Sequence, residues 1–341
     1  LDRSSAASDV YKRQVRVLAL QAKKYPDIDM PTAITQIAGR KVAAEKIPSW
    51  WEIEKIWYPK HLSLEQCSSE ITARYKARLL QGDSLTDLTG GFGIDCSFLA
   101  TGFKSATYVE RQEELCEIAA HNFPVLNLNH INIKNEDGVT YLQAMSPVDC
   151  LFLDPARRNE HGGKTVAISD CEPNVAELEE LLLQKANRVM IKLSPMLDLS
   201  LALKELKQTQ EVHILSVNNE CKELLILLGQ TSPTEISIHC VNLSTKGTQE
   251  EQHFVFTREQ EQCSECTYTD SLETYLYEPN ASLLKAGAFR SIAAAYPVRK
   301  LHPNSHLYTS DTFIENFPGR IFRIVNQCSF NKKEVKENLA D

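Results

Sequence analysis

No stretch of the chain approaches the roughly 20 apolar residues that a membrane-spanning helix needs, and nothing in it reads as a secretory leader. The first absence excludes a helical membrane protein. The second, beside ten cysteines, argues for reduced thiols in a cytoplasmic setting and against a disulfide framework. Excess positive charge is missing too: the net charge of −8 speaks against a protein that holds nucleic acid mainly by bulk electrostatics. There is no internal repeat, no low-complexity segment, no Ser-His-Asp ordering and no metalloprotease spacing. The lone C-x-x-C, Cys263-Ser264-Glu265-Cys266, has no second properly spaced pair. His239, Cys240 and His253 stand within reach of it, yet unmetallated thiols are the expectation and no metal site is assigned.

What is present is the profile of a globular protein: 43% hydrophobic and 24% charged residues over 341 positions. That length gives room for about two domains of ordinary size. Leu1–Gln14 (LDRSSAASDVYKRQ) is read as a non-native leader without function, and Phe330–Asp341 stops within a helix-like charged run, as a truncated module would. Charge is unevenly spread: from Tyr277 onward nine Lys/Arg face six Asp/Glu, a net +3, leaving −11 for residues 1–276. A mildly basic tail on an acidic body suits a polyanionic substrate; solvated faces are the plainer explanation.

The run Asp87-Leu88-Thr89-Gly90-Gly91-Phe92-Gly93-Ile94-Asp95 is the most informative stretch. An apolar strand breaks into three glycines within four residues and resumes as a helix. Gly91 and Gly93 let backbone approach a ligand with no Cβ between, and the following helix offers its first amides. A dinucleotide fingerprint wants a further Gly or Ala three residues after Gly93, where Cys96 stands. The surviving G-x-G with an acid at the strand end is the shape used for S-adenosylmethionine (SAM), although the pattern alone is weak.

Strands are predicted at Ser84–Leu88, Ala106–Val109, Ile131–Ile133, Cys150–Leu153 and Val189–Leu193, alternating with helices such as Glu113–Phe123 and Val175–Ala186. That alternation implies a parallel sheet covered by helices. Glu211–Val217 and Glu223–Leu228 lie too close for an intervening helix and so must pair antiparallel. The predicted fold class is therefore α/β, a Rossmann-like sheet of five parallel strands plus an antiparallel pair, with an N-terminal helical segment and small C-terminal α+β domains. Ser63-Leu64-Glu65-Gln66 reads as a capping box opening a helix to about Leu80. Trp50, Trp51 and Trp57 are expected to pack the helical segment onto its neighbour, an exposed stacking platform being the sharper alternative. Ile236–Leu243 and His253–Thr257 read as strands of a small separate piece, and Asn280 as a helix cap.

Strand ends carry the candidate chemistry. Glu110, seventeen residues after Gly93, can accept two ribose hydroxyls with one carboxylate, or simply charge a helix start before Arg111. Asp137, in Asn135-Glu136-Asp137-Gly138, can accept from an adenine amino group or form an ordinary turn. Asp154-Pro155-Ala156-Arg157-Arg158 follows the fourth strand. There Asp154 and the carbonyl aimed by Pro155 can orient an acceptor amine for in-line displacement. Arg157 and Arg158 can hold a phosphate or pair with Glu160.

DLTGGFGID, YVER, NEDG and LDPARR, in that order, resemble motifs I to IV of SAM-dependent methyltransferases. With LEQCSSEITARYKA, KLSPMLD and the tail YEPNASLLKAGAF…NSHLYTSD…FPGRIF, residues from about Val15 to Phe330 resemble a bacterial class I family. That family joins a SAM-methyltransferase domain to ferredoxin-like and C-terminal THUMP-like domains. The resemblance implies a helical segment at 15–80, a methyltransferase domain at 81–232, a ferredoxin-like domain at 233–276 and a THUMP-like domain at 277–341. It implies SAM as cofactor and, by family association, tRNA or rRNA as substrate. It places Asp87, Thr89, Gly90, Gly91, Gly93 and Asp95 at the methionine end of SAM, Glu110 at ribose and Asp137 at adenine, with Gln66 and Ser69 closing the pocket. Asp154 and Pro155 would border the transferred methyl, with Arg157 and Lys192 as substrate or phosphate contacts, a salt bridge being the alternative for Lys192.

Two departures matter. Ala156-Arg157 stands where amino-group methyltransferases place Pro-aromatic, which removes base stacking from this loop. Ser194-Pro195 stands where uridine C5 methyltransferases place a nucleophilic cysteine, so covalent pyrimidine chemistry is discounted. A methyltransferase of protein or small molecules and a non-catalytic RNA-binding adaptor are the alternative readings.

Overall fold

A computed structural model describes residues 27–157, 167–231, 233–245 and 251–328, together with 331, 334 and 336. The leader read at 1–14, the helical spacing around Val17, and Arg158 with Glu160 fall outside the described residues. No described helix is long and apolar enough to cross a membrane. The chain divides into two compact units, residues 1–158 with 171–191, and residues 159–170 with 192–341.

The first unit opens with helices α1 (Met30–Lys46), α2 (Pro48–Trp51), α3 (His61–Gln66) and α4 (Glu70–Ala77). Five strands follow: β1 (Ser84–Asp87), β2 (Ser105–Glu110), β3 (Ile131–Asn135), β4 (Val148–Leu153) and β7 (Ala186–Leu193). Helices α5 (Ile94–Ala100), α6 (Glu113–Val125), α7 (Gly138–Ala144) and α8 (Val175–Lys185) connect them. The order β7-β4-β1-β2-β3, parallel throughout, is the five-stranded parallel array expected from the alternation. Central strands are buried on both faces, which is why Leu151, Phe152 and Leu153 of β4 read as an unbroken apolar run. Helices start where the sequence supplies caps: Asn174 accepts from the amide of Ala176, and Glu113 with Glu114 charges the first turn of α6. A short pair, β5 (Ala156–Arg157) and β6 (Cys171–Glu172), stands after β4.

One helix expected from Ser63 to Leu80 is two. Ser63 lies inside α3, whose N-cap is Lys60 without a side-chain hydrogen bond, so no capping box forms. Cys67 and Ser69 adopt extended backbone (ψ 159° and 156°), and α4 restarts after them. This break turns the buried Ser68 inward, a consequence taken up below.

The N-terminal helices share a core with the glycine bend: Ile47, Trp50, Ile56, Tyr58, Leu64 and Ala73 pack with Phe92 and Ile94. Phe92 meets the edge of Trp50 at 5.2 Å, so a ring from inside the bend anchors it to the helical segment. Trp50 thus packs as expected, whereas Trp51 and Trp57 stay 42% and 49% exposed. Trp57 stacks on His121 at 3.9 Å while the Asn122 side chain bonds both its backbone N–H and its C=O. Trp57→Ala is expected to cost about 2–3 kcal/mol, the aromatic pair together with the burial of roughly half the indole. Urea unfolding checks it, and a larger loss would show the ring to be a structural pin.

In the second unit β8 (Thr209–Val217) and β9 (Glu220–Gly229) form the expected antiparallel pair. Their two-residue turn puts Asn218 and Asn219 at φ 50° and 65°, a left-handed hairpin geometry that asparagine tolerates. Helix α9 (Leu199–Glu205) precedes them. β10 (Ser237–Leu243) and β11 (Glu251–Thr257) were expected in a separate small piece spanning 233–276. β10 instead pairs parallel to β8 along seven residues, with β11 antiparallel outside it. Alternating buried residues on β10, Ile238 and Cys240 among them, give it the inward face that pairing with β8 requires. After α10 (Arg258–Cys263), a four-stranded antiparallel sheet runs in the order β13 (Arg299–Lys300), β14 (Tyr308–Ser310), β12 (Tyr275–Pro279), β15 (Gly319–Arg323). Helix α11 (Ala281–Ala286) packs against β8, β9 and β10 and helix α12 (Phe289–Ala295) against α10, and Asn280 caps α11 through the amide of Leu283. Tyr277, Tyr308 and Phe317 form the aromatic core of the four-stranded sheet.

Candidate active site

The bend after β1 is held from several directions. The Gly90 amide donates to the carbonyl of Val109, and the Gly93 amide to Gly90. A Cβ at Gly90 would lie 2.3 Å from the ring of Tyr108, which explains glycine there. Gly91 and Gly93 have φ of 55° and 86°, the left-handed region that β-carbons disfavour. The Tyr108 hydroxyl donates to the Gly91 carbonyl at 2.5 Å, and burial pushes its ionisation far up, so it stays a donor.

Four carboxylates gather at this bend. Asp87, at the tip of β1, is 1% exposed. Its Oδ1 accepts from the amide of Thr89 at 3.0 Å, while Oδ2 is buried with no hydrogen-bond partner among the described residues. Burial raises the Asp87 carboxyl well above its ordinary value; the Thr89 amide opposes this, and Asp95, Asp154 and Glu110 add to it. Glu110, at the tip of β2, accepts from the amides of Gly91 and Gln112, each at 2.8 Å. It therefore points at the bend rather than away from it. Asp154 follows β4, and its amide donates to Thr89 Oγ1 at 2.6 Å, tying the fourth strand's exit to the glycine bend.

Asp95, in the first turn of α5, is 9% exposed. It accepts from Ser68 Oγ at 2.7 Å and pairs with the fully buried Lys76 at 2.8 Å. Lys76 also donates to Ser68 Oγ at 2.8 Å, closing a triangle across the α3–α4 break. Neither Ser68 nor Lys76 was singled out in the sequence. Both sit in LEQCSSEITARYKA, but a lysine on a charged helix normally reads as solvent-facing. Lys76→Met is expected to cost about 3 kcal/mol by stranding Asp95 uncompensated. Equilibrium denaturation reads this, and an unchanged midpoint would show the pair to be idle.

The remaining candidates are placed as follows. Asp137 is exposed and caps α7, its Oδ1 accepting from the amides of Val139 and Thr140. Gly138 beside it packs under the Leu88 carbonyl, which a Cβ would meet at 2.2 Å, bringing the β3 exit against the β1 exit. Gln66 ends α3 and is exposed; Ser69 starts α4 with its hydroxyl 3.2 Å from Thr72 Oγ1. Pro155 is buried, and Arg157 pairs through backbone with Cys171. Lys192 is buried and follows Ile191, whose register partner on β4 is Leu153. Cys96 and Cys150 are buried as expected, with burial raising both thiols. Cys263 is exposed and Cys266 half-buried.

A parallel sheet with a glycine bend and acids on the carboxyl ends of its strands defines an α/β protein built to hold a nucleotide-like ligand at that rim. The solved structure of a "putative methyltransferase" from Porphyromonas gingivalis W83 is 35% identical to this chain. The match covers 99% of this chain and 86% of that one, with a TM-score of 0.83. A family model described as a ferredoxin-like domain matches residues 275–318. That match falls on β12, β14 and β13 of the C-terminal sheet, in the segment expected to be THUMP-like. The chain belongs to the family of the P. gingivalis protein, methyltransferases that carry a ferredoxin-like domain at the C-terminal end. A "modification subunit of a putative type I restriction enzyme" from Vibrio vulnificus YJ016 matches at 12% identity and TM-score 0.40 over 59% of this chain and 56% of that one. An rRNA methylase from Streptococcus thermophilus matches at 14% and 0.34 over 47% and 93%. No curated protein sequence matches the chain.

Proposed function

We propose that this methyltransferase uses SAM and modifies a base of tRNA or rRNA. The observation that carries the cofactor reading is Asp87 Oδ2, a buried acceptor without a partner among the described residues, grouped with three other carboxylates. Such a rim favours a ligand bearing positive charge and repels a pyrophosphate, which separates SAM from the dinucleotides. Bound SAM supplies an electrophilic methyl on a positively charged sulfur. The chain's own residues then do the positioning. Asp87 accepts from the α-ammonium, the bend at Gly91 and Gly93 admits the backbone of the ligand, and Glu110 uses its remaining lone pairs for the ribose hydroxyls. Asp137 meets the adenine amino group, and Gln66 with Ser69 borders the pocket from the α3–α4 break. Asp154 and the Pro155 carbonyl hold the acceptor amine in line with the methyl, while Arg157 and Lys192 contact substrate phosphate.

The RNA reading draws support from the C-terminal module. It carries net +3, and β15 presents Arg320, Arg323 and a 45% exposed Phe322, with Phe313 56% exposed elsewhere in that module. The test has two stages. Thermal unfolding with and without SAM should show a rise in Tm that grows with ligand concentration. Labelled SAM is then offered to undermodified tRNA, rRNA and a protein extract: label in RNA is expected, label in protein alone rejects the RNA substrate, and binding without transfer to any fraction rejects catalysis.

A further inference from the structure

Three histidines and a glutamate line up on one face of the second unit. His239 of β10 lies opposite His213 of β8, Ser237 lies opposite Glu211, and Val241 lies opposite His253 of β11. Side chains alternate along a strand, so Glu211, His213, His239 and His253 share a face. The rings of His213 and His239 stack at 4.3 Å and 12°, those of His239 and His253 at 5.3 Å and 26°. Contacts at both ends join the row: His213 Nε2 is 3.3 Å from Glu211 Oε2, and His239 Nδ1 is 3.1 Å from His253 Nε2. One ligand atom each from Glu211, His213 and His239 lies within 4.8 Å of the other two.

Stacked imidazoles repel one another once protonated. A tetrahedral ion bound at about 2.0–2.2 Å spaces its neighbouring ligand atoms roughly 3.3 Å apart. The two end contacts already have that spacing, and binding requires the stacked His213 and His239 rings to turn out of their parallel arrangement, so that both in-plane lone pairs meet at one point beside Glu211.

We propose that Glu211, His213 and His239 bind one divalent transition-metal ion of the zinc class, with His253 or a water in the fourth position. Imidazole and carboxylate donors suit Zn²⁺ and Co²⁺ over Mg²⁺ and Ca²⁺, which prefer oxygen alone. The donors come from β8 and β10, and His253 would add β11, which lies at the end of the strand order. With His253 as the fourth ligand the ion ties β11 to β8 and β10, a stabilising role independent of the SAM reading.

Tag-free, full-length protein is dialysed against chelator and titrated with Zn²⁺ and separately with Co²⁺. One equivalent is expected, with a rise in Tm and with visible Co²⁺ bands of a four-coordinate site lacking thiolate charge transfer. His239→Asn should weaken binding at least a hundredfold. Glu211→Gln, at a half-exposed position, should weaken it at least tenfold and gives the same reading if the first variant does not fold. The Cys263→Ser, Cys266→Ser double variant should bind as tightly as the parent. Absence of a stoichiometric ion, affinity untouched by both His239→Asn and Glu211→Gln, or loss of binding in the double serine variant would each overturn the site.

Discussion

Asp87→Asn should raise the Tm of the ligand-free protein and weaken SAM binding on the order of 10²–10³-fold, the range for removing one partner of a buried charged contact. The two effects share one cause. Asp87 is buried, its Oδ2 lacks a partner among the described residues, and three other acids stand close enough to raise its pKa. An unsatisfied buried polar atom costs about 1–3 kcal/mol, and asparagine removes the charge while keeping the oxygen that accepts from Thr89.

The pH dependence follows with a definite sign. A carboxyl whose folded pKa lies above its unfolded value of 3.8 binds its proton more tightly in the folded state. Its contribution to stability is full below 3.8 and is lost as pH rises through the raised folded value. Ligand-free protein should therefore lose Tm as Asp87 ionises, and Asp87→Asn should flatten that slope. The Tm increment produced by SAM should grow over the same window, since the ionised form binds the cation. Scanning calorimetry across that window, with and without SAM, decides the matter. An increment that shrinks with rising pH, or a variant that binds SAM as the parent does, removes Asp87 from the cofactor site.

The rim acids were legible because each closes a short apolar run, Asp87 ahead of the glycine bend, Glu110 ahead of Arg111 and a helix start, and Asp154 ahead of Pro155. Asp87, Glu110 and Asp154 sit at the tips of β1, β2 and β4, and parallel strands bring tips to one edge whatever their spacing in the chain. Two features were not legible for physical reasons. The break at Cys67–Ser69 contains neither glycine nor proline, and what favours it is a tertiary contact, the Ser68–Asp95–Lys76 triangle, that no local pattern encodes. The pairing of β10 with β8 is equally non-local: the alternation in Ser237–Leu243 announces a strand but not its neighbour. The alignment of His213, His239 and His253 depends on that register and could not precede it.

Asp154→Ala should lower methyl transfer on the order of 10²–10³-fold, the scale of losing one aligned polar contact at a reacting centre, while SAM affinity stays within a few-fold of the parent. The separation rests on which atoms Asp154 uses. Its amide, retained in alanine, makes the 2.6 Å bond to Thr89 Oγ1 that fixes the glycine bend. Only the carboxylate is removed, and with it one of the charges that raise Asp87, so the pocket for the cofactor is if anything eased. Asp154→Asn keeps an acceptor oxygen and should fall between the two in rate. Single-turnover transfer alongside equilibrium SAM binding separates the outcomes: full activity in the alanine variant places the acceptor elsewhere, and a parallel collapse of SAM affinity makes Asp154 a cofactor ligand instead of an acceptor-orienting group.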